Sequence, residues 1–218
     1  MAILDVLLPP SCAGCGHYGS AICGVCRQSF RTLGGNGFLA PDPGVLVGDA
    51  CIVAVAAFAH DEAIQRVLRR LKYGGGARLA APLADLAQPA LRRLLGETGP
   101  AVLVPIPLHA ERLRDRGYNQ AALLAQRLGR QSQTRVWPGL IRRRATARQH
   151  GLDRATRLRN LRDAMGVSPA RPPAEVGRMT VILVDDILTT GATLEASAGV
   201  LREAGVTAIY GFAIAREV

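Results

Sequence analysis

The feature that most constrains the fold of this chain is an apolar run that ends in two adjacent carboxylates. Residues 181–184 read Val-Ile-Leu-Val, and Asp185 and Asp186 follow directly. A Thr-Thr-Gly-Ala-Thr turn at residues 189–193 then leads into a helix-forming segment. A buried strand, a short polar turn and a helix in this order are typical of an α/β domain.

The turn carries groups that suit a phosphate. Backbone N–H groups at the start of a helix, together with its positive end, favour an anion. Gly191 lets the backbone approach closely, and the threonine hydroxyls add donors. Residues 189–193 are expected to hold the phosphate. They belong to a longer ligand-binding segment that consists of Ile187, Leu188, Thr189, Thr190, Gly191, Ala192 and Thr193.

Asp185 and Asp186 need a different partner, because carboxylates do not bind phosphate directly. They accept hydrogen bonds from vicinal sugar hydroxyls, or they bind Mg²⁺ beside those hydroxyls. The segment thus combines a phosphate site with diol acceptors, which describes ribose 5-phosphate. The alternative is a solvated turn in which Thr193 only caps the helix. No Gly-Lys-Ser/Thr sequence is present, so this is not a Walker loop.

Strand-length apolar runs and helix-period segments alternate from residue 50 onward. The predicted strands cover residues 51–58, 101–106, 180–184 and 206–214, and the predicted helices cover 61–72, 77–95, 119–130 and 193–204. This alternation indicates an α/β domain over residues 50–218, with a mostly parallel sheet flanked by helices. Ligands of such sheets bind at the carboxyl ends of the strands.

Two Cys-x-x-Cys pairs stand near the start of the chain, seven residues apart. Four thiolates form the closed tetrahedral shell of a structural zinc site. A disulfide, a redox pair or unliganded thiols are the alternatives, and Cys51 is expected to be a buried apolar residue. We expect a zinc-ribbon-like module over residues 1–40, whose metal supplies much of its folding energy. Its expected ligands are Cys12, Cys15, Cys23 and Cys26.

Arginine dominates the charge of the chain. The net charge is +10, and Lys72 is the only lysine beside 26 arginines. Arginine binds phosphate through paired hydrogen bonds, so the composition favours partners such as nucleotides, pyrophosphate or nucleic acid. An arginine-rich proteome explains the same composition without a function.

The chain shows no sign of membrane insertion or export. No apolar run reaches the length of about 18 residues that a spanning helix needs. The first ten residues lack the basic start of a signal peptide. We therefore expect a cytoplasmic protein.

The segment that contains Asp185 and Asp186 is similar to the phosphoribosyl pyrophosphate loop of type I phosphoribosyltransferases. Residues 71–74, 104–120 and 142–160, with the four-cysteine module before them, occur in the order found in the ComF family. The chain resembles that family from Cys12 to Arg216. Its members include competence proteins needed for DNA uptake in natural transformation.

The resemblance implies that Asp185 and Asp186 contact the ribose 2′- and 3′-hydroxyls and serve as the catalytic residues of any transfer. It implies that residues 189–193 hold the 5′-phosphate, with Mg²⁺ shared by the diol and the pyrophosphate. The expected pyrophosphate ligands are Lys72, Pro107, Arg112 and Arg116. Instead of binding pyrophosphate, the arginines could lie in a solvated loop. Lys72 could likewise only stabilise the negative end of the helix dipole.

Residues 141–162 hold eight arginines and one acid, Asp153. In enzymes related by the resemblance, a mobile loop at this place closes over the substrate. Alternatively, the same arginines follow the backbone of single-stranded DNA. A third interpretation is a solvated basic helix that binds no ligand. The expected nucleic-acid contacts are Arg142, Arg143, Arg144 and Arg148.

These features favour a ComF-like protein that binds phosphoribosyl pyrophosphate, or a related phosphoribosyl ligand, with Mg²⁺ and acts in DNA uptake. Single-stranded DNA and DNA-uptake proteins are its expected partners. The alternative is an active phosphoribosyltransferase, which transfers the group to a nitrogen acceptor in nucleotide salvage and releases pyrophosphate. The loop favours such activity, but no segment identifies an acceptor, so the choice stays open.

Overall fold

The computed structural model describes residues 10–33, 45–47, 51–73, 75–144, 154–171, 176 and 178–218. Its strands are β1 Val45–Val47, β2 Cys51–Ala59, β3 Ala101–Pro105, β4 Leu140–Arg142, β5 Met165–Val167, β6 Thr180–Leu188 and β7 Ile209–Arg216. Five of them form a sheet in the order β1-β2-β7-β6-β3, in which only β1 is antiparallel to its neighbour. β4 and β5 form a separate antiparallel pair. The predicted mostly parallel sheet is confirmed.

Helices cover both faces of this sheet. They are α1 Gly24–Gln28, α2 Glu62–Lys72, α3 Ala80–Thr98, α4 Ala110–Arg116, α5 Gln120–Ser132, α6 Arg154–Ala164 and α7 Ala192–Glu203, with a 3-10 turn at Gly76–Leu79. The face that carries Ile182 and Val184 packs against α2, α3 and α5. The face that carries Val181 and Leu183 packs against α7. None of the described helices has the length and apolarity that crossing a membrane requires.

Among the elements that differ from the sequence prediction are β6, β7 and α4. β6 continues to Leu188 rather than ending at Val184, because its ladder with β7 extends to the pair Leu188–Arg216. The two carboxylates therefore lie within the strand and not in a bend after it. β7 begins at Ile209 rather than at residue 206. Helix α4 is not among the predicted elements, because its seven residues are too few to show an apolar period.

The four-cysteine module packs on the sheet domain. Cys12 and Ile22 are fully buried in the same apolar cluster as the inner residues of α2 and α3. The rings of Phe30 and Phe58 meet edge to face, with their centroids 5.5 Å apart. The described part of the module thus shares a hydrophobic core with the domain that follows it.

Candidate functional site

Four parallel strands end at one edge of the sheet, where a cleft of about 830 Å³ opens. The strand ends supply much of its lining, namely His60 after β2, Ile106 and Pro107 after β3, Asp185, Asp186 and Ile187 in β6, and Glu217 after β7. The volume falls within the range of about 300–1,000 Å³ that is usual for small-molecule sites. This is the edge at which ligands of parallel sheets bind.

Asp186 leaves β6 on the face that carries Ile182 and Val184, toward α2 and α5. Its Oδ2 lies 2.6 Å from Nζ of Lys72, the last residue of α2. Its Oδ1 accepts a hydrogen bond of 3.3 Å from Nε2 of Gln120, the first residue of α5. Only 3% of Asp186 is exposed, and a carboxylate at this depth needs such partners. Asp186 is therefore held as a paired and oriented carboxylate.

Asp185 points toward the opposite face, because neighbouring residues of a strand alternate. Its Oδ1 accepts a hydrogen bond of 2.8 Å from the backbone N–H of Asp186. Burial, and then the charge of Asp186, raise the pKa of Asp185 to about 8. Burial and the charge of Arg112 lower the pKa of Arg142, and the charge of Asp185 opposes that shift. A cation placed beside Asp185 would therefore favour its ionised form.

The Thr-Thr-Gly-Ala-Thr turn joins β6 to α7 beside the cleft. Gly191 has a φ of 75°, a left-handed conformation that favours glycine, and it stands directly before α7. Thr189 and Thr193 line the cleft, as does Ile187, so the positive end of this twelve-residue helix begins there. The other residues of the predicted phosphoribosyl-binding segment lie outside the lining, namely Leu188, Thr190, Gly191 and Ala192.

The residues predicted to bind pyrophosphate also line the cleft. All four predicted ligands line it, namely Lys72, Pro107, Arg112 and Arg116. Arg112 and Arg116 lie one turn apart on α4 and therefore on the same face of that helix. The Arg116 guanidinium donates to Oε1 of Gln120 and lies 5.5 Å from the ring centroid of Tyr73. Gln120 thereby links Arg116 to Asp186.

Three of the four arginines predicted to contact nucleic acid lie within the described residues, and the structure divides them between two depressions. Arg142, at the end of β4, lines the cleft. Arg143 and Arg144 line a different depression of about 500 Å³, which also includes residues of β5 and α7. Arg148 lies outside the described residues. β4 ends at Arg142, so Arg143 and Arg144 belong to the segment that follows the strand.

Sequence reasoning does not identify several polar or aromatic residues of the cleft, namely His60, Tyr73, Asp115, Gln120 and Glu217. His60 and Glu217 directly follow β2 and β7, so the rule on strand ends would have indicated both. Gln120 begins a helix that Asn119 caps, and nothing in the sequence marks its contact with Asp186. That contact depends on how α5 packs against β6.

The four cysteine sulfurs of the N-terminal module lie within 4.8 Å of one another. The Sγ atoms of Cys15 and Cys23 are 3.6 Å apart. Tetrahedral Zn–S bonds of about 2.3 Å place sulfurs about 3.8 Å apart, so the spacing fits. Gly14 leaves room for the cluster, since a Cβ at that position would lie 2.5 Å from Sγ of Cys26. The cluster, formed by Cys12, Cys15, Cys23 and Cys26, can hold a metal ion.

Backbone donors surround one of these sulfurs. Sγ of Cys12 accepts hydrogen bonds of 3.2 Å from the N–H of Cys23 and 3.4 Å from the N–H of Gly14. Burial opposes ionisation of this thiol, but the backbone donors prevail and lower the pKa of Cys12 to about 6. Burial and the neighbouring thiols raise the pKa of Cys26 to about 12. A cation among the sulfurs would lower both values, so the donor set fits a thiolate-binding metal.

The chain is similar to several known proteins. No family model matches the chain. It is 30% identical over 212 residues to Competence protein F of Haemophilus influenzae, covering 93% of this chain and 84% of that protein. It is 31% identical over 221 residues to DNA utilization protein YhgH of Escherichia coli K12, covering 92% of each. A solved structure of the allosteric regulatory enzyme of purine biosynthesis is 21% identical, with a TM-score of 0.35. The match covers 61% of this chain and 25% of that chain.

Proposed function

Because the chain belongs to the ComF family of competence proteins, we propose that it acts in DNA uptake by binding a phosphoribosyl ligand. The ligand is phosphoribosyl pyrophosphate or a related compound, bound with Mg²⁺ in the cleft at the strand ends. The relatives' names refer to competence and DNA utilization, and this supports the cellular role. The cleft supports the choice of ligand.

One observation carries the proposal: Asp185 and Asp186, shortly before β6 ends at Leu188, line the same cleft as Thr189 and Thr193, which lie just before α7 and within its first turn, respectively. The carboxylates accept hydrogen bonds from the ribose diol. The start of α7 and the two hydroxyls receive the 5′-phosphate. Lys72 and the arginines of α4 face the pyrophosphate.

The charge of the cleft explains why the ligand needs a divalent cation. Four basic residues line it, namely Lys72, Arg112, Arg116 and Arg142, and four acidic residues line it, namely Asp115, Asp185, Asp186 and Glu217. With Asp185 protonated, as its raised pKa favours near neutral pH, three ionised acids face four bases, so a polyanion gains little from the protein alone. Mg²⁺ bound to the pyrophosphate and the diol neutralises part of the ligand's charge and presents a cation to Asp185.

Two further assignments belong to the proposal. The cysteine cluster holds a structural zinc, since its four-sulfur shell leaves no position open for a reacting group. Reduced thiols in that cluster favour a cytoplasmic location. Arg143 and Arg144, in the depression beside β5, contact single-stranded DNA.

The alternative is an active phosphoribosyltransferase of nucleotide salvage. Transfer breaks the bond between ribose C1 and pyrophosphate and forms a bond between C1 and a nitrogen of the acceptor. The placement of Arg112 and Arg116 favours this reading, because both line the cleft where they would stabilise the departing pyrophosphate. Asp185 and Asp186 would then orient the ribose in the transition state.

Thermal unfolding in the presence of the ligand tests the proposal. A ligand that binds only the folded state raises the melting temperature. We expect phosphoribosyl pyrophosphate with Mg²⁺ to stabilise the wild type but not the Asp185→Asn/Asp186→Asn variant. A matched control is Glu97→Gln/Glu203→Gln, which removes two exposed acids outside the lining of the cleft. Equal stabilisation of both variants contradicts the proposal, and a screen of nitrogen acceptors for pyrophosphate release decides between binding and transfer.

A further inference from the structure

A second depression, here called the arginine groove, lies between the cysteine module and the end of α2. Its volume is about 540 Å³. Its lining consists of Ser11, Ala13, Arg69, Arg70, Tyr73, Gly76, Arg78 and Leu79. Three of these residues are arginines, and none of the described lining residues is acidic. The groove therefore concentrates positive charge that no carboxylate in its lining offsets.

Local backbone geometry brings the arginines together. Gly75 has a φ of 71° and turns the chain back after α2. Gly76 then lies so close to the helix end that a Cβ at this position would be 1.9 Å from the carbonyl oxygen of Arg70. This close approach places Arg78 beside the last turn of α2. Nη1 of Arg70 donates a hydrogen bond of 2.9 Å to the carbonyl oxygen of Cys12, which ties the helix to the cysteine module.

The helix dipole accounts for only part of this arrangement. Basic residues in the last turn of a helix interact favourably with its negative end, and this explains Arg69 and Arg70. Arg78 lies in a four-residue 3-10 turn that leads directly into α3, so it stands next to the positive end of that helix, where the dipole does not favour a cation. A convergence of arginines from two elements is the usual arrangement for binding phosphate, because guanidinium groups donate paired hydrogen bonds.

An aromatic ring stands at the edge of the groove. Tyr73 is 66% exposed and lines both the arginine groove and the cleft that contains Asp185. An exposed ring next to phosphate-binding cations is the arrangement with which proteins hold single nucleotide units, since the base stacks on the ring. The guanidinium of Arg116 lies 5.5 Å from the ring centroid and helps to orient it.

We propose that the arginine groove binds a nucleoside phosphate, with the phosphate among Arg69, Arg70 and Arg78 and the base against Tyr73. This site is separate from the phosphoribosyl cleft and does not depend on the ligand proposed there. The nucleotide unit is either free in solution or part of a DNA single strand. Because Tyr73 lines both sites, the second ligand lies next to the first.

Binding of thymidine monophosphate and of an eight-residue oligothymidylate tests the site, measured by calorimetry and by fluorescence anisotropy. We expect Arg69→Ala/Arg78→Ala to weaken binding at least tenfold. The matched control is Arg92→Ala/Arg130→Ala, which removes two exposed arginines outside the lining of either site. For the oligonucleotide, the slope of log affinity against log salt should flatten by about 1.4 in the test variant only, since each single-strand contact contributes about 0.7.

The outcomes separate the two sources of the nucleotide. Weaker binding of the mononucleotide alone supports a free nucleotide, and weaker binding of the oligonucleotide alone, or of both, supports a unit of a DNA strand. If the test variant and the control bind both probes equally well, the proposal is overturned. Tyr73→Phe should retain binding and Tyr73→Ala should lose it, since only the ring is needed for stacking.

Two controls keep this result apart from the phosphoribosyl proposal. Arg69→Ala/Arg78→Ala should leave the stabilisation by phosphoribosyl pyrophosphate and Mg²⁺ unchanged, because neither residue lines the cleft. Its melting temperature and zinc content should equal those of the control variant, which shows that the cysteine module is intact. Loss of nucleotide binding in a protein that meets both conditions assigns the effect to the groove.

Discussion

Nζ of Lys72 lies 2.6 Å from Oδ2 of Asp186, so the only lysine of the chain is paired with one of its two central carboxylates. The pair joins the end of α2 to the end of β6. When the ribose diol and Mg²⁺ arrive, we expect Lys72 to turn from Asp186 toward the pyrophosphate. The flexible stem of lysine allows this exchange without movement of the backbone.

Removing the lysine should destabilise the fold. Breaking a buried ion pair costs roughly 3–5 kcal/mol, and because Lys72 is 25% exposed we expect about 2 kcal/mol for Lys72→Met. Adding Asp186→Asn should recover part of that loss, since no charge is then left unpaired. Urea unfolding of the two single variants and the double variant measures the coupling. Strictly additive effects would show that the pair contributes nothing.

Stability should depend on pH through Asp185. Its pKa is raised in the folded protein to about 8, whereas an unfolded aspartate titrates near about 3.9. Folding therefore favours the protonated carboxyl of Asp185. The stability of the folded state that depends on this protonation is fully present below about pH 4 and is lost as the pH rises to about 8. We expect the free energy of unfolding of Asp185→Asn to fall less than that of the wild type between pH 5 and pH 8. Identical slopes in urea titrations of the two proteins would contradict the assignment.

A single methyl group should disturb the turn that forms the arginine groove. In Gly76→Ala the new Cβ meets backbone at 1.9 Å, and overpacking of this kind costs about 1–3 kcal/mol. Gly96→Ala is the control, because Gly96 is an exposed residue of α3 and a Cβ there would have no neighbouring atom within 4 Å. That variant should instead gain about 0.5–1 kcal/mol from helix propensity. Thermal unfolding of both variants tests this: the melting temperature should fall in Gly76→Ala and rise in Gly96→Ala. An unchanged melting temperature in Gly76→Ala would contradict the close approach.

The cysteine cluster should bind one zinc per chain. Cys15→Ser should lose the metal and lower the melting temperature, since the module shares its core with the sheet domain. Cys51→Ser should keep the metal, because Cys51 lies outside the two Cys-x-x-Cys pairs of the sequence. Elemental analysis of the purified proteins measures both. Full zinc content in Cys15→Ser would rule out the four-sulfur site.

Local pattern was sufficient for much of the fold and part of the site. The apolar run before Asp185, the alternation of strands and helices and the paired cysteines each indicate their structure within a few residues. Contacts between distant segments were not predictable in this way. Lys72 meets Asp186 only because α2 packs on one face of β6, and Arg142 leaves its arginine neighbours only because β4 directs it into the cleft.

Central to the proposed function is the binding of a phosphoribosyl ligand by Asp185 and Asp186 together with Mg²⁺. Isothermal titration of the protein with phosphoribosyl pyrophosphate, with and without Mg²⁺, tests it most directly. We expect one site per chain, affinity that rises with Mg²⁺, and no measurable heat of binding in Asp185→Asn/Asp186→Asn. Undiminished binding in that variant, or binding that Mg²⁺ does not affect, would contradict the claim.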